Sequence, residues 1–296
     1  MTAIVQELAR RRVMVAIDGG EMSVLRYGES GAPPLLFAHA NGFCASAYRQ
    51  MFEALGASFD IFGVDLRGFG KTRLPIDPAN HRGMEIFADD VSALLAALSK
   101  RFAITRKWTL AGHSLGGATA ALAAAERSDV AALRLIEPAI LPQSWMMLAR
   151  TPLWRAIAGE MPLVKAARGR RAAWPDRESV KASYARKAFF STFATGVLDD
   201  YLADGLRDSG DGVVLSCPPA WEAATFAGQA HDFWSAIKKA PGRVKVLAAD
   251  HPTTTVPGPA IRSFEKSGIA VIRVSGMTHL IPFEKPQFAA GFLAGN

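Results

Sequence analysis

The chain has 296 residues, with 34 Lys and Arg against 27 Asp and Glu for a net charge of +7; half its residues are hydrophobic and 21% are charged. That much apolar surface excludes a disordered chain, and the length allows one large α/β domain or a core with a sizeable insertion. Two cysteines, Cys44 and Cys217, exclude a disulfide scaffold and a cysteine-rich zinc module, while 26 glycines and 17 prolines exclude collagen-like repeats.

The first residues, Met1–Arg12, do not read as a secretory signal, because the basic cluster follows the apolar stretch and Glu7 interrupts it. No run reaches the ~18 uncharged apolar residues of a membrane helix. A soluble cytoplasmic protein is therefore expected. The basic balance (pI ≈ 9.6) is spread over the chain without a nucleic-acid motif, so neither nucleic acid nor membrane is an expected partner.

Val13–Ile17 and Met22–Tyr27 flank Asp18-Gly19-Gly20, a hairpin signal. Leu35–Ala38 follows two prolines as a short buried strand, Tyr48–Leu55 is helical, and Ile61–Val64 is a strand ending at Asp65. Ile86–Leu98 repeats apolar residues at helical spacing, Trp108–Ala111 is a strand, Ser114–Arg127 an alanine-rich helix and Leu133–Ile136 a strand. Short apolar strands alternating with helices predict a mostly parallel sheet covered on both faces.

The rhythm breaks after Glu137. From about Ile140 to Pro241 there are helical patches, tryptophans and arginines, but no convincing buried strand. Residues 145–187 hold ten basic groups against three acidic ones, and residues 188–235 hold one against seven. Strands resume at Val244–Ala249 and Ala270–Val274, and a helix closes the chain near Pro286–Leu293. The expected organisation is an α/β core over 1–137 and 241–296, with a helical insertion over 138–240.

Gly112-His113-Ser114-Leu115-Gly116-Gly117 follows a strand and opens a helix, the setting of a G-x-S-x-G elbow. A serine on so sharp a turn needs neighbours without side chains, and the turn aims Ser114 out of the sheet as a nucleophile. The backbone N–H of Leu115 then faces any oxyanion formed there. A serine hydroxyl needs a base, and His279, on a loop just past Ala270–Val274, stands at the carboxyl edge of the sheet. His113 lies inside the elbow and cannot easily turn back to Ser114; His81, His231 and His251 lack the setting of His279. A second oxyanion donor is expected in the loop His39-Ala40-Asn41-Gly42-Phe43, with Asn41 as the first choice, Phe43 N–H as the other register and His39 as a brace.

Together with Asp65-Leu66-Arg67-Gly68-Phe69-Gly70-Lys71-Thr72, these motifs resemble, in this order, the α/β-hydrolase superfamily, in the branch with a helical cap after the sixth strand. The resemblance covers about residues 13–137 and 243–293; the cap matches only in position. It implies an α/β-hydrolase fold and a Ser-His-acid triad, with Asp65 and Arg67 shaping a loop beside the site. Members commonly place the acid a few residues past the seventh strand, where this chain has Pro252. Asp250 sits right at the strand end, so its carboxylate is expected to point into the sheet edge. Glu137, ending the neighbouring strand, has the longer reach to His279 and is the expected acid, with Asp250 the alternative. Leu135–Pro142 is similar to haloalkane dehalogenases, but their nucleophile is an aspartate, which argues against dehalogenation and epoxide opening here.

Cys44 reads as a small buried residue. Lys165–Arg171 reads as a solvated helix face, with steering of an anionic substrate as the sharper alternative. Trp145, Met146, Met147, Trp154, Phe189, Phe190, Phe193 and Trp221 are expected mostly at the cap–core interface, some of them facing substrate. The resulting expectation is a cofactor-free, metal-free serine hydrolase acting on a small or medium carboxylic ester, or a related lactone, thioester or C–C bond. A lyase or cofactor-free oxygenase or perhydrolase, and a non-catalytic small-molecule-binding protein, are the alternatives. Its partner is a small-molecule substrate, and a homodimer stays open.

Overall fold

The computed structural model describes residues 2–295. Its main sheet has eight strands: Arg12–Ile17 (β1), Gly20–Gly28 (β2), Pro34–Ala38 (β3), Asp60–Val64 (β4), Trp108–His113 (β5), Val130–Ile136 (β6), Arg243–Ala249 (β10) and Ala270–Val274 (β11). Their order is β1-β2-β4-β3-β5-β6-β10-β11, and β2 runs antiparallel to both its neighbours while the remaining pairs are parallel. This is the mostly parallel α/β-hydrolase sheet that the strand rhythm and the motif order imply.

Alternation along each strand feeds two cores. Leu36 and Ala38 of β3 face one apolar cluster, while Leu35 and Phe37 face the other. Helices Glu85–Arg101 (α3) and Leu115–Ala125 (α4) cover the first face, and Arg49–Leu55 (α2) and Pro286–Ala294 (α14) cover the second. A sheet buried on both faces leaves its carboxyl-edge loops as the exposed place for chemistry. An N-terminal helix, Ala3–Arg11 (α1), had no counterpart in the apolar pattern; it is capped by Thr2 and buries one residue, Leu8.

Between β6 and β10 lie Gln143–Ala149 (α5), Trp154–Glu160 (α6), Pro162–Arg168 (α7), Arg177–Ala185 (α8), Val197–Gly205 (α9), Pro219–Ala227 (α10) and Phe233–Lys239 (α11). The segment expected as a helical insertion holds strands besides its helices. Ala173–Trp174 (β7), Leu206–Ser209 (β8) and Gly212–Leu215 (β9) form a small antiparallel sheet in the order β7-β9-β8. β8 has exposed charged positions, β7 is two residues long, and β9 offers only the short run Val213-Val214-Leu215. The last helix, α11, places Phe233 and Ile237 in the same apolar cluster as α4. Helices Gly258–Lys266 (α12) and Ile281–Glu284 (α13) complete the chain.

Candidate active site

Ser114 stands between β5 and α4 with φ 55° and ψ −116°. A Cβ at Gly112 would collide with Gly116, and one at Gly116 with the Ala38 carbonyl, so the motif glycines let strand and helix close on the turn. The Ser114 N–H donates to Ile136 O (3.0 Å), and its carbonyl accepts from Gly117, Ala118 and Ala139 N–H. The backbone is held on both sides while the hydroxyl makes no hydrogen bond among the described residues. Only three described non-glycine residues have positive φ: Ala103, Ser114 and Glu137. Such a conformation costs about 1–3 kcal/mol and persists only where the surroundings over-determine it.

Glu137 shows what over-determines it. Its N–H donates to Leu247 O (2.8 Å) and its carbonyl accepts from Thr255 Oγ1 (2.8 Å), fixing the turn after β6 against β10. The fully buried carboxylate accepts from Ala249 N–H (2.6 Å) and Thr254 Oγ1 (2.7 Å) on Oε1, and from Thr255 N–H (2.9 Å) and His279 Nδ1 (2.9 Å) on Oε2. Burial works to raise its pKa, but the bond and charge of His279 and the donors from Thr254 and Ala249 outweigh that, leaving it below the usual carboxylate value. The carboxylate fixes the tautomer of His279: Nδ1 carries the proton and donates, so Nε2 keeps its lone pair.

Asp250 does not meet His279. Instead of pointing into the sheet edge, its carboxylate is 57% exposed and pairs with Arg273 at 2.6 Å. The loop expected to hold the acid holds donors to it instead. Thr253 Oγ1 accepts from His279 N–H (3.1 Å), while Thr254 and Thr255 serve Glu137. These threonines escaped the reading of the sequence, although the run Thr253-Thr254-Thr255 after Pro252 was its visible trace. Glu284 also escaped it: its carboxylate accepts from Thr278 N–H (2.8 Å) and Oγ1 (2.6 Å), pinning the histidine loop to α13.

His279 lies against the elbow. Its ring centroid is 4.9 Å from that of His113, and His113 Nε2 donates to the His279 carbonyl (2.8 Å). With that nitrogen a donor, His113 Nδ1 accepts from Tyr48 Oη (2.8 Å), which in turn accepts from Ala40 N–H (3.0 Å). One relay thus ties the loop after β3, the elbow and the histidine loop. Tyr48 was read only as part of a helix, and nothing local in the sequence marks its role. Among the described residues, Ser114 Oγ and His279 Nε2 share no hydrogen bond.

In the loop after β3, Phe43 N–H donates to Ala40 O (3.2 Å). The N–H groups of Asn41 and Leu115 have no acceptor among the described residues. The Asn41 side chain donates to Glu222 O (3.1 Å). His39 is buried and braces the loop: Nε2 accepts from Leu66 N–H (3.0 Å), so Nδ1 donates to Ala40 O (2.8 Å). Burial lowers its pKa to about 4, keeping it neutral. Asp65 accepts from Ala45 and Lys71 N–H, and Arg67 pairs with Asp90, both shaping the adjoining loop.

Cys44 is fully buried beside Ser46, and burial pushes its thiol up, which suits a packing residue. The stretch Lys165–Arg171 divides. Lys165 pairs with Glu160 in solvent, whereas Arg170 is mostly buried and donates to Glu222 (2.7 Å), Tyr184 (2.9 Å) and Tyr201 (2.9 Å). Tyr201 Oη donates onward to Gly42 O (3.0 Å), so Arg170 belongs to a buried network rather than a solvated face. The aromatic residues divide as well. Phe189 and Phe193 gather around Phe43 and Phe283, Phe190 stacks on Tyr184, Trp221 is pinned to Arg67 O (2.8 Å), and Trp145 packs on Trp154. Met146 is buried, and Met147 is exposed. Among the described residues no group of three His, Cys, Asp or Glu could hold a metal ion, and no helix is long and apolar enough to cross a membrane.

The sequence profile described as "Alpha/beta hydrolase family" matches residues 35–291. No curated protein matches the chain. Among solved structures, E-2-(acetamidomethylene)succinate hydrolase superposes with a TM-score of 0.78 at 19% identity, over 96% of this chain and 97% of that one. The thioesterase domain from the curacin biosynthetic pathway gives 0.77 at 13% identity, over 95% and 98%. A thermophilic esterase from Thermogutta terrifontis gives 0.64 at 20% identity, over 95% of each chain. At these identities the likeness shows the fold.

Proposed function

This chain belongs to the alpha/beta hydrolase family, and from that premise we propose that it is a cofactor-free serine hydrolase of small or medium carboxylic esters. The observation that carries the reading is the 2.9 Å bond between His279 Nδ1 and the buried, four-times-donated carboxylate of Glu137. It leaves Nε2 as a base on the side of the elbow. Ser114 Oγ attacks the ester carbonyl while His279 Nε2 takes its proton. The oxyanion of the tetrahedral adduct is held by the N–H groups of Asn41 and Leu115, both without other acceptors. Collapse breaks the C–O bond, and the imidazolium returns its proton to the leaving alcohol. Water, deprotonated by the same nitrogen, then attacks the acyl-Ser114 ester; the bond to Oγ breaks, the imidazolium returns its proton to Ser114 Oγ, and the carboxylic acid leaves. Glu137 stabilises the imidazolium in both halves.

The segment over 138–240 acts in this reading as a cap. It reaches the loops after β3 and β4 through Glu222 to Asn41, Tyr201 to Gly42 and Trp221 to Arg67. Esterase and thioesterase neighbours, which also act on acyl groups, support the ester class without fixing the acyl chain. Two assays test the reading: labelling by a fluorophosphonate, and hydrolysis of p-nitrophenyl esters of graded acyl length. A folded Ser114→Ala protein should take no label and lose on the order of 10³-fold or more in kcat. Ester turnover near the wild-type rate in that variant would refute it.

A further inference from the structure

A cavity of about 780 Å³ lies between the loop before α3 and helices α5, α6, α7 and α10. It contains neither Ser114 nor His279. Helix α10 forms a wall between it and the loop after β3. Ala220, Ala223, Ala224 and Ala227, spaced for one helical face, line the cavity, while Trp221 and Glu222 turn the other way to Arg67, Asn41 and Arg170. The volume lies within the range of small-molecule sites.

The polar lining has one sign. Arg82, Arg150 and Arg168 come from three different elements, and no Asp or Glu among the described residues lines the cavity. None of the three forms an ion pair among the described residues, whereas Arg12, Arg26, Arg49, Arg67, Arg127 and Arg170 all do. Carboxylates within electrostatic reach have other partners: Asp77 holds Asn80, Glu160 holds Lys165, and Asp232 holds Ser235. Glu85 remains near Arg150 without a salt bridge to it. His81 adds one polar group to the lining, with its buried Nε2 unpartnered. Three exposed arginines, of which Arg82 donates only to the Ala79 and His81 carbonyls, beside an alanine face match a ligand with an anionic head and a short apolar body.

We propose that this cavity is a second binding site, separate from Ser114, for a medium-chain monocarboxylate. Its head sits at the rim with Arg82, Arg150 and Arg168, and its chain lies on the alanine face of α10. The probe is sodium octanoate, titrated calorimetrically into the full-length Ser114→Ala protein at low and high salt, with octan-1-ol as the neutral comparison. Octanoate should bind one to one and more weakly at high salt, and octanol should bind at least about tenfold less tightly. Arg82→Gln/Arg150→Gln/Arg168→Gln should weaken octanoate at least about tenfold, while in the Ser114 background it should leave basal ester hydrolysis unchanged. Ala224→Phe, which fills the floor, gives a second check on any folded protein. No binding of octanoate, or binding indifferent to the three arginine substitutions, would overturn the proposal. Loss of the serine reading would show instead as ester turnover that does not depend on Ser114.

Discussion

The carboxyl edge of the main sheet and the segment between β6 and β10 hold their functional residues in opposite ways. At the sheet edge, Ser114 and Glu137 are held by backbone bonds within and beside the ladder, from Ile136, Leu247 and Ala249, and His279 is tied to them through the side chains of Glu137 and Thr253. In the intervening segment the equivalent work falls to side chains far apart in sequence, with Arg170 joining Glu222, Tyr184 and Tyr201. The first arrangement follows from strand position and glycine spacing. The second depends on which helix meets which, and no local pattern fixes that.

The largest expected effect separates the two acids. Glu137→Gln should lose on the order of 10³–10⁴-fold in kcat, because the amide misorients His279 and leaves its imidazolium unsupported. Asp250→Asn, which removes a surface pair with Arg273, should stay near wild type. Assayed on one p-nitrophenyl ester with folding checked by circular dichroism, the reverse ranking would transfer the acid's role to Asp250.

A smaller effect is expected in the intervening segment. Arg170→Met strands the buried Glu222 and should cost about 3 kcal/mol of stability, with a lower kcat as the Asn41 loop loosens. Lys165→Met removes a pair that is more than half exposed on both sides and should stay within about 0.5 kcal/mol. Denaturant unfolding of both variants measures the contrast, and equal losses would erase the distinction between buried network and solvated face.

The smallest effect lies in acid sensitivity. Burial lowers the pKa of His39 and of His231 from 6.5 to about 4 in the folded chain. Between those values the unfolded chain binds more protons, so stability is complete above 6.5 and falls as pH drops towards 4, by up to about 1.4 kcal/mol per unit for each histidine. Neither ring nitrogen of His231 has a hydrogen-bond partner among the described residues, so His231→Leu should flatten the pH dependence of the urea midpoint between pH 7.5 and 5 without a large loss at pH 7.5. An unchanged slope would mean that His231 titrates alike in the folded and unfolded chain.

Much of the sheet edge was legible because its constraints are local. The elbow needs Gly112 and Gly116 where they stand, and the strand Leu133–Ile136 delivers Glu137 beside the strand that ends at Ala249. The threonine cage left only the run Thr253-Thr254-Thr255 as its trace, since the acceptor of those donors is decided when the loop after β10 closes on Glu137. The small β7-β9-β8 sheet was missed for a related reason. Gly210-Asp211-Gly212 is good hairpin chemistry, but three of the four residues of β8 are exposed, and no alternation marks the strand. Arg170 looked like its solvated neighbours because its partners Tyr184, Tyr201 and Glu222 are brought to it by three separate helices.

The most direct test of the chemistry is intact-protein mass spectrometry on samples quenched during steady-state turnover of a p-nitrophenyl ester, followed by peptide mapping. An acyl-enzyme mechanism predicts a mass increase equal to the acyl group, located on the peptide that carries Ser114 and accumulating further in Glu137→Gln if deacylation slows more than acylation. Turnover of the ester with no adduct in either protein, or an adduct confined to a residue other than Ser114, would contradict the serine mechanism.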